Sequence, residues 1–433
     1  MRPIAHLPFT YDFIPELNTQ IIMGDQEKEG FKKAAEEVYQ YHPQEMMVKS
    51  PNRGKDPIAI GLPKESCSDE KRIMLRPEAV AILVNNGYDV LLESGAGLPA
   101  NLTDKEYSDA GAKVVYSPED AFGTDIILRV SPPSLEEIKH IKRQKTVISA
   151  LYTKELSKEY IQAVTQRKLV CLAFELLEDK VGGLPVVRAM SEIAGSTVML
   201  IAAEYLSSFN EGRGIILGGI TGVPPSKVVI LGAGTVAEYA ARTSMGMGAE
   251  VKIFDNHIYR LRRLKNILGN PQLYTSVIDN GKLAEALAEA DVVIGAVHTN
   301  RGRTPTFVTE EMVSYMKPNS IIIDVSIDQG GCFETSEPTT LHQPTFHRHG
   351  VIHYCVPNIP SRVARTASTA LSNIFAPMLT KLIEKGGTDQ MIRYYPGFTK
   401  GVYAYKGGVT NKFIAEKYDM PCMNLELILA ARI

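Results

Sequence analysis

Cysteine is scarce in this sequence of 433 residues, and its five cysteines form no recognisable pattern. They are Cys67, Cys171, Cys332, Cys355 and Cys422. Their number is odd, they include no C-x-x-C pair, and they form no cysteine–histidine cluster at zinc-binding spacing. We therefore expect a reduced protein without a disulfide framework and without a bound metal.

Long apolar runs and an excess of one charge are also absent. No run of about 18 apolar residues is available to span a bilayer, and the N-terminus lacks the ordered segments of a signal peptide. A cytoplasmic protein without a membrane part is expected. The 47 lysines and arginines against 49 aspartates and glutamates leave a formal net charge of −2. This balance argues against a nucleic-acid binder, which needs clustered positive charge to neutralise phosphates.

The composition is that of a globular chain, with 44% apolar and 22% charged residues. A chain of 433 residues exceeds the size at which one hydrophobic core stops growing, so two domains are expected. Residues 1–56 differ from the rest of the chain: prolines come early, then a polar, helix-prone stretch and a loop. We interpret them as an N-terminal extension that packs on the surface or faces a neighbouring subunit.

From residue 58 onward, short apolar runs alternate with helical patterns, which predicts parallel strands joined by crossover helices. A first series of strands is predicted at 58–62, 89–93, 112–116, 125–130, 146–151 and 169–174. A second series is predicted at 227–231, 251–255, 292–297, 320–325 and 351–356. Helices are predicted at 77–86, 191–208 and 366–384.

Two of these helices determine the predicted domain organisation. The helix at 191–208 is suited to join two domains, and the helix at 366–384 can return the chain to the first. The predicted fold class is therefore α/β, with two doubly wound, Rossmann-like domains and a cleft between them. The first domain is discontinuous, 57–186 plus 365–433, and the second is 187–364.

The strongest local signal is a G-x-G-x-x-A sequence between an apolar strand and a helix. Gly232 allows the tight turn, Gly234 lets the backbone approach a pyrophosphate, and Ala237 keeps helix and strand close. The next strand ends in Asp255, where an acid accepts hydrogen bonds from the ribose hydroxyls and repels a 2′-phosphate. NAD is therefore favoured as the cofactor, with Arg260 as a further contact that leaves NADP open.

Two other groups of polar residues are candidates for a role in the site. Asp328 follows a strand of the second series, at the edge where such sheets bind ligands, although a loop carboxylate can also simply cap a turn. His342, His347, His349 and His353 could form a metal or acid–base site. Because no carboxylate or cysteine stands beside them at ligand spacing, we interpret them as solvated loop and strand histidines.

Several motifs together carry a family resemblance. They are Gly61-Leu-Pro-Lys-Glu65 with Arg72, Glu93-Ser-Gly-Ala-Gly97, Met190-Ser-Glu-Ile-Ala-Gly195, Gly218-Gly-Ile-Thr-Gly-Val-Pro-Pro225, the fingerprint at Gly232, Asp324-Val-Ser-Ile-Asp-Gln-Gly-Gly-Cys-Phe-Glu334 and Tyr354-Cys-Val-Pro-Asn-Ile-Pro360. From about residue 58 to 384 the chain resembles the alanine dehydrogenase and pyridine-nucleotide transhydrogenase family. The run at 324–334 resembles the alanine dehydrogenase branch in particular.

The resemblance implies an N-terminal substrate domain and an NAD domain that close on one cleft, usually in a hexamer. It implies hydride transfer from Cα of an L-amino acid to nicotinamide C4, giving an imino acid that water converts to a 2-oxo acid and ammonia. Arg72 matches the arginine that clamps the substrate carboxylate, a task that suits a guanidinium fork. By the same resemblance, Asp328 and Asn358 lie near the nicotinamide, and Ser191 contacts a phosphate.

The chain departs from the family at two catalytic positions. Ser131 stands where the family has a lysine, and Tyr152 stands where it has a histidine that acts as acid and base. Serine carries no charge, and tyrosine, with a reference pKa of about 10, suits proton transfer at neutral pH only when its surroundings lower that value. Tyr152 is the predicted proton relay, and Arg129 and Lys154, two residues away from the changed positions, could compensate.

The departures leave several functions open. The first is an NAD-dependent amino-acid dehydrogenase like alanine dehydrogenase, with alanine, another amino acid or a secondary amine of the saccharopine kind as substrate. The second is an NAD-binding protein without turnover. A third, a transhydrogenase-like component, requires a partner that binds NADP, since this chain has one fingerprint. An ionisable group beside Arg72 and Asp328 in the cleft favours the enzyme.

Overall fold

The computed structural model describes residues 57–151, 156–271, 273–299, 303–384 and 386–430. The predicted extension, 1–56, lies outside the described residues. The strands in chain order are β1 Ala59–Leu62, β2 Asp89–Glu93, β3 Lys113–Val115, β4 Ile126–Leu128, β5 Thr146–Ser149, β6 Val170–Ala173, β7 Lys227–Leu231, β8 Glu250–Phe254, β9 Leu273–Ser276, β10 Val292–Gly295, β11 Ile321–Asp324, β12 Thr345–Arg348, β13 Val351–Tyr354, β14 Val402–Tyr405 and β15 Gly408–Val409.

These strands form two sheets. The first has the order β15-β14-β6-β5-β4-β1-β2-β3 and the second the order β12-β13-β11-β10-β7-β8-β9. The inner strands are parallel and almost wholly buried, in keeping with apolar runs that helices cover on both faces. In each sheet the carboxyl ends of the parallel strands form one edge, and this edge carries the residues of the site.

The helices lie between and around the strands. The shorter ones are Pro77–Asn85, Asp104–Asp109, Pro118–Phe122, Leu135–Ile138, Lys158–Gln166, Thr235–Gly246, Ile258–Leu268, Asn280–Glu289, Glu310–Ser314, Thr388–Tyr394, Pro396–Lys400, Lys412–Tyr418 and Leu425–Ala430. Two helix starts show familiar signals: Thr103 and Glu106 form a capping box, and Pro77 occupies the first turn of the helix predicted at 77–86.

A long helix, Pro185–Tyr205, joins the two sheets and contributes to both cores. Val186 belongs to the first core and Ala194 to the second. At Gly195 a Cβ atom would lie 2.4 Å from the carbonyl oxygen of Val236, so only glycine lets this helix approach the fingerprint helix so closely.

By length and composition this helix could also cross a membrane, whereas the sequence was expected to contain no segment of that kind. Its buried side chains, among them Val198 and Ala202, pack into the cores, whereas Leu200 is exposed.

A second long helix, Ala364–Glu384, returns the chain to the first sheet. Two serine hydroxyls near its start bind the loop that follows β1: Ser368 accepts the N–H of Ile73 at 2.9 Å, and Ser361 accepts the N–H of Lys71 at 2.8 Å. The loop between β1 and the helix at Pro77 is thus fixed to the segment that leaves the second sheet.

The observed fold differs from the prediction at the sheet edges. The predicted strands were parallel and ended at residue 356, but β12 is antiparallel to β13, and β14 is antiparallel to β6. The prediction also omitted β9, β12, β14 and β15. β9, β12 and β15 lie at the outer edges of their sheets, and such strands are short and less apolar than central ones, so a search for apolar runs misses them. The predicted domain boundaries remain a prediction.

Candidate active site

Arg72 lies in the loop after β1 and is 5% exposed. Its guanidinium binds the carboxylate of Glu70 side-on: Nε donates to Oε1 at 2.8 Å and Nη2 to Oε2 at 2.6 Å. Nη1 donates to the sulfur of Met190, on the long connecting helix, at 3.3 Å. The paired forks fix the plane of the guanidinium, which is what bidentate recognition of a second carboxylate requires.

Asn358 reaches the same carboxylate from the second sheet. It follows β13, adopts the left-handed conformation with φ of 58°, and donates its Nδ2 hydrogen to Oε2 of Glu70 at 2.8 Å. The loops that follow β1 and β13 therefore meet at Glu70. Arg72 and Asn358, which the sequence predicted to share a site, are brought together through a residue that the prediction did not name.

Arg129, a predicted substrate contact, is instead occupied within the first sheet. Its side chain is wholly buried, with Nη1 2.6 Å from Glu137, Nε 3.2 Å from Glu65 and Nη2 donating to Ser66 at 2.7 Å. Its charge is balanced by two carboxylates, so this geometry argues against the predicted role. Burial raises the pKa of Glu65, and the charge of Arg129 opposes that shift.

Ser131 lies two residues farther along, at the carboxyl edge beyond β4. Its backbone N–H donates to Oε2 of Glu65 at 3.2 Å, and the N–H of Val130 donates to Oε1 at 2.7 Å. Glu65 thus shapes the loop that presents Ser131. The other two predicted residues of this region, Tyr152 and Lys154, lie outside the described residues.

Glu175 is a further carboxyl group at the carboxyl edge of the first sheet. It follows β6 and accepts the N–H of Leu151 at 2.8 Å. Burial raises the pKa of Glu175 above its usual value. It therefore anchors the end of the segment that leads to residue 152.

The fingerprint turn after β7 has the geometry that a dinucleotide requires. Gly232 has a φ of 101°, and a Cβ there would lie 2.4 Å from the carbonyl oxygen of Ala296. A Cβ at Gly234 would meet no protein atom within 4 Å, so this face of the turn is open to a ligand. Ala237 is fully buried where the helix Thr235–Gly246 packs on the sheet. These residues fit a pyrophosphate at the helix N-terminus.

Asp255 closes the adenosine end of this groove. It accepts the N–H of Ala233 at 2.8 Å through Oδ2 and that of His257 at 2.7 Å through Oδ1. The ring of His257 is 3.0 Å from Oδ1, and Nη1 of Arg260 is 3.9 Å from Oδ2. The predicted pair Asp255 and Arg260 is therefore brought together beside the fingerprint.

Asp328 lies on the short helical turn Val325–Gln329 that follows β11, and its side chain is exposed. The turn is built on Asp324, which is fully buried and accepts the N–H groups of Ser326 and Cys332, each at 3.0 Å, and the hydroxyl of Ser336 at 2.7 Å. Burial raises the pKa of Asp324, and these hydrogen bonds oppose the shift.

The remaining predicted residues divide into two groups. Ser191 is half-buried on the connecting helix, directly after Met190, whose sulfur contacts Arg72. The histidines are separated: His353 is buried against Thr335 at 2.8 Å, and His349 lies at the surface 2.8 Å from Glu310. Within the described ranges no group of three or more histidine, cysteine, aspartate or glutamate side chains could hold a metal ion.

Family models match almost the whole described chain. The alanine dehydrogenase/PNT N-terminal domain matches residues 61–194, and the alanine dehydrogenase/PNT C-terminal domain matches residues 198–412. The chain belongs to this family. The first match contains Glu70 and Arg72, and the second contains the fingerprint, Asp328 and Asn358.

Individual family members agree with this assignment. Alanine dehydrogenase of Staphylococcus epidermidis is 37% identical over 370 residues, which are 85% of this chain and 99% of the relative. Alanine dehydrogenase 2 of Staphylococcus aureus is 36% identical over the same shares of both chains.

Two solved structures are also similar. An L-alanine dehydrogenase superposes with a TM-score of 0.79 at 34% identity, covering 84% of this chain and 99% of that one. A transhydrogenase from Sinorhizobium meliloti superposes with a TM-score of 0.71 at 26% identity, covering 82% of this chain and 99% of that one.

Family membership confirms the resemblance and the two-sheet α/β fold predicted from the sequence. It also confirms the predicted class of activity, an NAD-dependent oxidoreductase of the amino-acid dehydrogenase type. The sequence prediction missed Glu70. The signal available for it was an acid two positions before the matched arginine, in the charged run Asp69-Glu-Lys-Arg72.

Proposed function

We propose that the protein oxidises L-alanine with NAD and water to pyruvate, ammonia and NADH. The observation that carries the proposal is the guanidinium of Arg72, buried and held side-on by Glu70 where Asn358 of the second sheet meets the first. A fixed guanidinium at the meeting point of a substrate domain and a dinucleotide groove is suited to hold a small carboxylate next to the cofactor.

NAD fits the groove of the second sheet. Gly232, Gly234 and Ala237 would hold the pyrophosphate, and Asp255 with Arg260 would hold the adenosine ribose. Bound there, NAD supplies the acceptor for the hydride that leaves the substrate Cα. Ser191, beside Met190, is placed in this proposal at a phosphate of the cofactor.

The chain's own residues orient the substrate. Arg72 binds its carboxylate. Asp328 and Asn358 orient the substrate amino group, the attacking water and the nicotinamide relative to one another. Ser131 is proposed as a neutral contact to the substrate, presented by the loop that Glu65 fixes. Tyr152 is proposed to relay the proton that the ammonium group must lose before hydride transfer.

The assembly and the domain limits are part of the same proposal. We propose the substrate domain as 57–186 plus 365–433 and the NAD domain as 187–364, which the pairing of β14 with β6 supports. A homohexamer in the cytoplasm is proposed from the resemblance to the family.

The test is NADH formation by the purified full chain with a panel of L-amino acids that includes alanine and saccharopine, run beside reductive amination of the matching 2-oxo acids. We expect turnover with alanine and pyruvate, and loss of turnover with retained NADH binding in Arg72→Ala. Turnover with another amine only would reassign the substrate. NADH binding without turnover on any substrate would contradict the dehydrogenase and favour a binding protein.

A further inference from the structure

Two loops of the second sheet meet at the proposed nicotinamide side, and the side chains of Ser326 and Gln329, on the turn after β11, bind the loop after β10. The loop after β10 begins beside the fingerprint, where the N–H of Ala296 donates to the carbonyl of Leu231 at 2.8 Å. The N–H of Val297 then donates to the hydroxyl of Ser326, on the turn after β11, at 3.0 Å. The path from the pyrophosphate groove to the turn of Asp328 therefore runs along this loop.

Gln329 binds this loop on both sides of residues 300–302. Its side-chain oxygen accepts the N–H of Thr299 at 3.0 Å, and its side-chain nitrogen donates to the carbonyl of Thr299 at 2.9 Å. Its backbone carbonyl accepts the N–H of Thr304 at 2.9 Å. With a longer contact from the hydroxyl of Thr304 to its side-chain oxygen at 3.5 Å, Gln329 makes four hydrogen bonds to Thr299 and Thr304 of the loop after β10.

The same residue is the direct neighbour of Asp328. On the interior side of the turn, the buried carboxylate of Asp324 accepts the N–H groups of Ser326 and Cys332. Gln329 fixes this turn to the loop after β10. Asp328 is therefore held between two anchors, of which only Gln329 also contacts the loop that follows the cofactor groove.

We propose that Gln329 is a positioning residue that sets Asp328 and the loop after β10 in one geometry around the nicotinamide end of the cofactor. The inference rests on the proposed dehydrogenase function and adds to it a residue that does not itself touch the reacting atoms. A displacement of about 1 Å in such a site costs about a hundredfold in rate, which sets the expected scale.

The first experiment compares Gln329→Ala with wild type in alanine oxidation and in calorimetric binding of ADP-ribose, which lacks the nicotinamide. We expect kcat to fall by roughly ten- to hundredfold. We expect the Kd for ADP-ribose to stay at the wild-type value, because the fingerprint and Asp255 are untouched, and the variant to remain folded with an unfolding midpoint lowered only by the loss of its side-chain hydrogen bonds. Gln343→Ala, at an exposed position shortly before β12, is the matched control and should keep kcat.

A second variant tests the two hydrogen bonds themselves. In Gln329→Glu a protonated carboxyl can accept the N–H of Thr299 and donate to its carbonyl, whereas a carboxylate cannot donate. The ratio of its kcat to that of wild type should rise as the pH falls from about 8 to about 5.5, since a facing carbonyl raises a carboxyl pKa. The charged or titratable neighbours are His298, Asp328 and Arg303, of which Arg303 keeps its charge over this range. Dividing by wild type corrects for the pH dependence that both proteins share, and Gln329→Ala should give a flat ratio.

The outcomes separate this inference from the proposed function. Wild-type turnover with unchanged kcat in Gln329→Ala, or a flat ratio in Gln329→Glu, would overturn the positioning role and leave the dehydrogenase intact. Weakened ADP-ribose binding in Gln329→Ala would also overturn it, because the residue would then support the whole domain. Absence of wild-type turnover would instead count against the proposed function.

Discussion

Glu70 and Arg72 form a side-on ion pair in which Nε donates to Oε1 at 2.8 Å and Nη2 to Oε2 at 2.6 Å. The same carboxylate also accepts the backbone N–H of Arg72 at 3.0 Å and the amide of Asn358 at 2.8 Å. Four donors occupy its acceptor sites. Glu70 is therefore suited to orient the guanidinium and unsuited to take a proton from a substrate.

Replacing Glu70 with glutamine removes the charge and one acceptor from this arrangement while keeping its size. The guanidinium of Arg72 is then no longer held in one plane. The hydrogen bond that it loses is charge-assisted and contributes about 1.5–3 kcal/mol. We expect the KM for the amino acid to rise by roughly ten- to hundredfold, with little change in the KM for NAD. Steady-state kinetics test this, with Glu78→Gln at an exposed side chain as the control; an unchanged KM would contradict the orienting role.

The two fingerprint glycines should respond differently to alanine. At Gly234 an added methyl meets no protein atom within 4 Å, so the fold should be unaffected while NADH binding weakens. At Gly232 the methyl would lie 2.4 Å from the carbonyl oxygen of Ala296 on a backbone with φ of 101°, so the protein itself should be destabilised. Thermal unfolding and NADH fluorescence titration separate the effects. Equal losses of stability in Gly234→Ala and Gly232→Ala would argue against open space beside Gly234.

A substitution at Arg129 distinguishes a structural role of this residue from the predicted contact with the substrate. Replacing it with leucine leaves Glu65 and Glu137 without their shared cation, and breaking a buried ion pair costs about 3–5 kcal/mol. We expect denaturant unfolding to give a loss of this size, with a partial recovery at low pH as Glu65 becomes protonated. A variant of normal stability with a raised KM for the amino acid would instead restore the substrate role predicted from the sequence.

His353 makes stability depend on pH. Its Nδ1 lies 3.0 Å from the carbonyl of Val351, and Nε2 lies 2.8 Å from the hydroxyl of Thr335, so a neutral ring with its hydrogen on Nδ1 satisfies both contacts. Burial lowers its pKa to about 4 from an ordinary value of 6.5. Above about pH 6.5 the folded and unfolded rings are both neutral, and below it only the unfolded ring takes up a proton.

Stability should therefore fall as the pH drops from about 6.5 toward 4, with about 2 kcal/mol lost at pH 5 through this group. Urea unfolding of wild type and His353→Gln at about pH 7 and pH 5 measures it. The glutamine variant should lose less stability between the two pH values than wild type. Equal losses in both proteins would mean that His353 does not titrate differently in the folded and unfolded chain.

The parts of the site that the sequence predicted are those with local patterns. The fingerprint glycines stand within one strand–turn–helix unit, and Asp255 ends the next strand, so their spacing alone predicts the groove. Arg72 and Asn358 were placed by resemblance of the motifs around them. In each case the information is carried by a few neighbouring residues.

Glu70 and Gln329 could not be found in the same way. Glu70 pairs with Arg72 two positions away, but its second partner, Asn358, is 288 positions away, and Gln329 binds a loop that begins after a different strand. No periodicity links such partners, because long-range contacts depend on the strand order. The antiparallel strand β14 was missed for a similar reason: its partner β6 lies more than half the chain earlier.

The pairing of β14 with β6 has a consequence for how the chain folds during synthesis. The strands of the second sheet come from one continuous stretch, residues 227–354, so that sheet can form as soon as this stretch has left the ribosome. The first sheet begins earlier in the chain, yet the edge of β6 stays uncovered until Val402–Tyr405 is made. The sheet whose first strands are translated earliest is completed last, and an exposed strand edge must be protected from other nascent chains in the meantime.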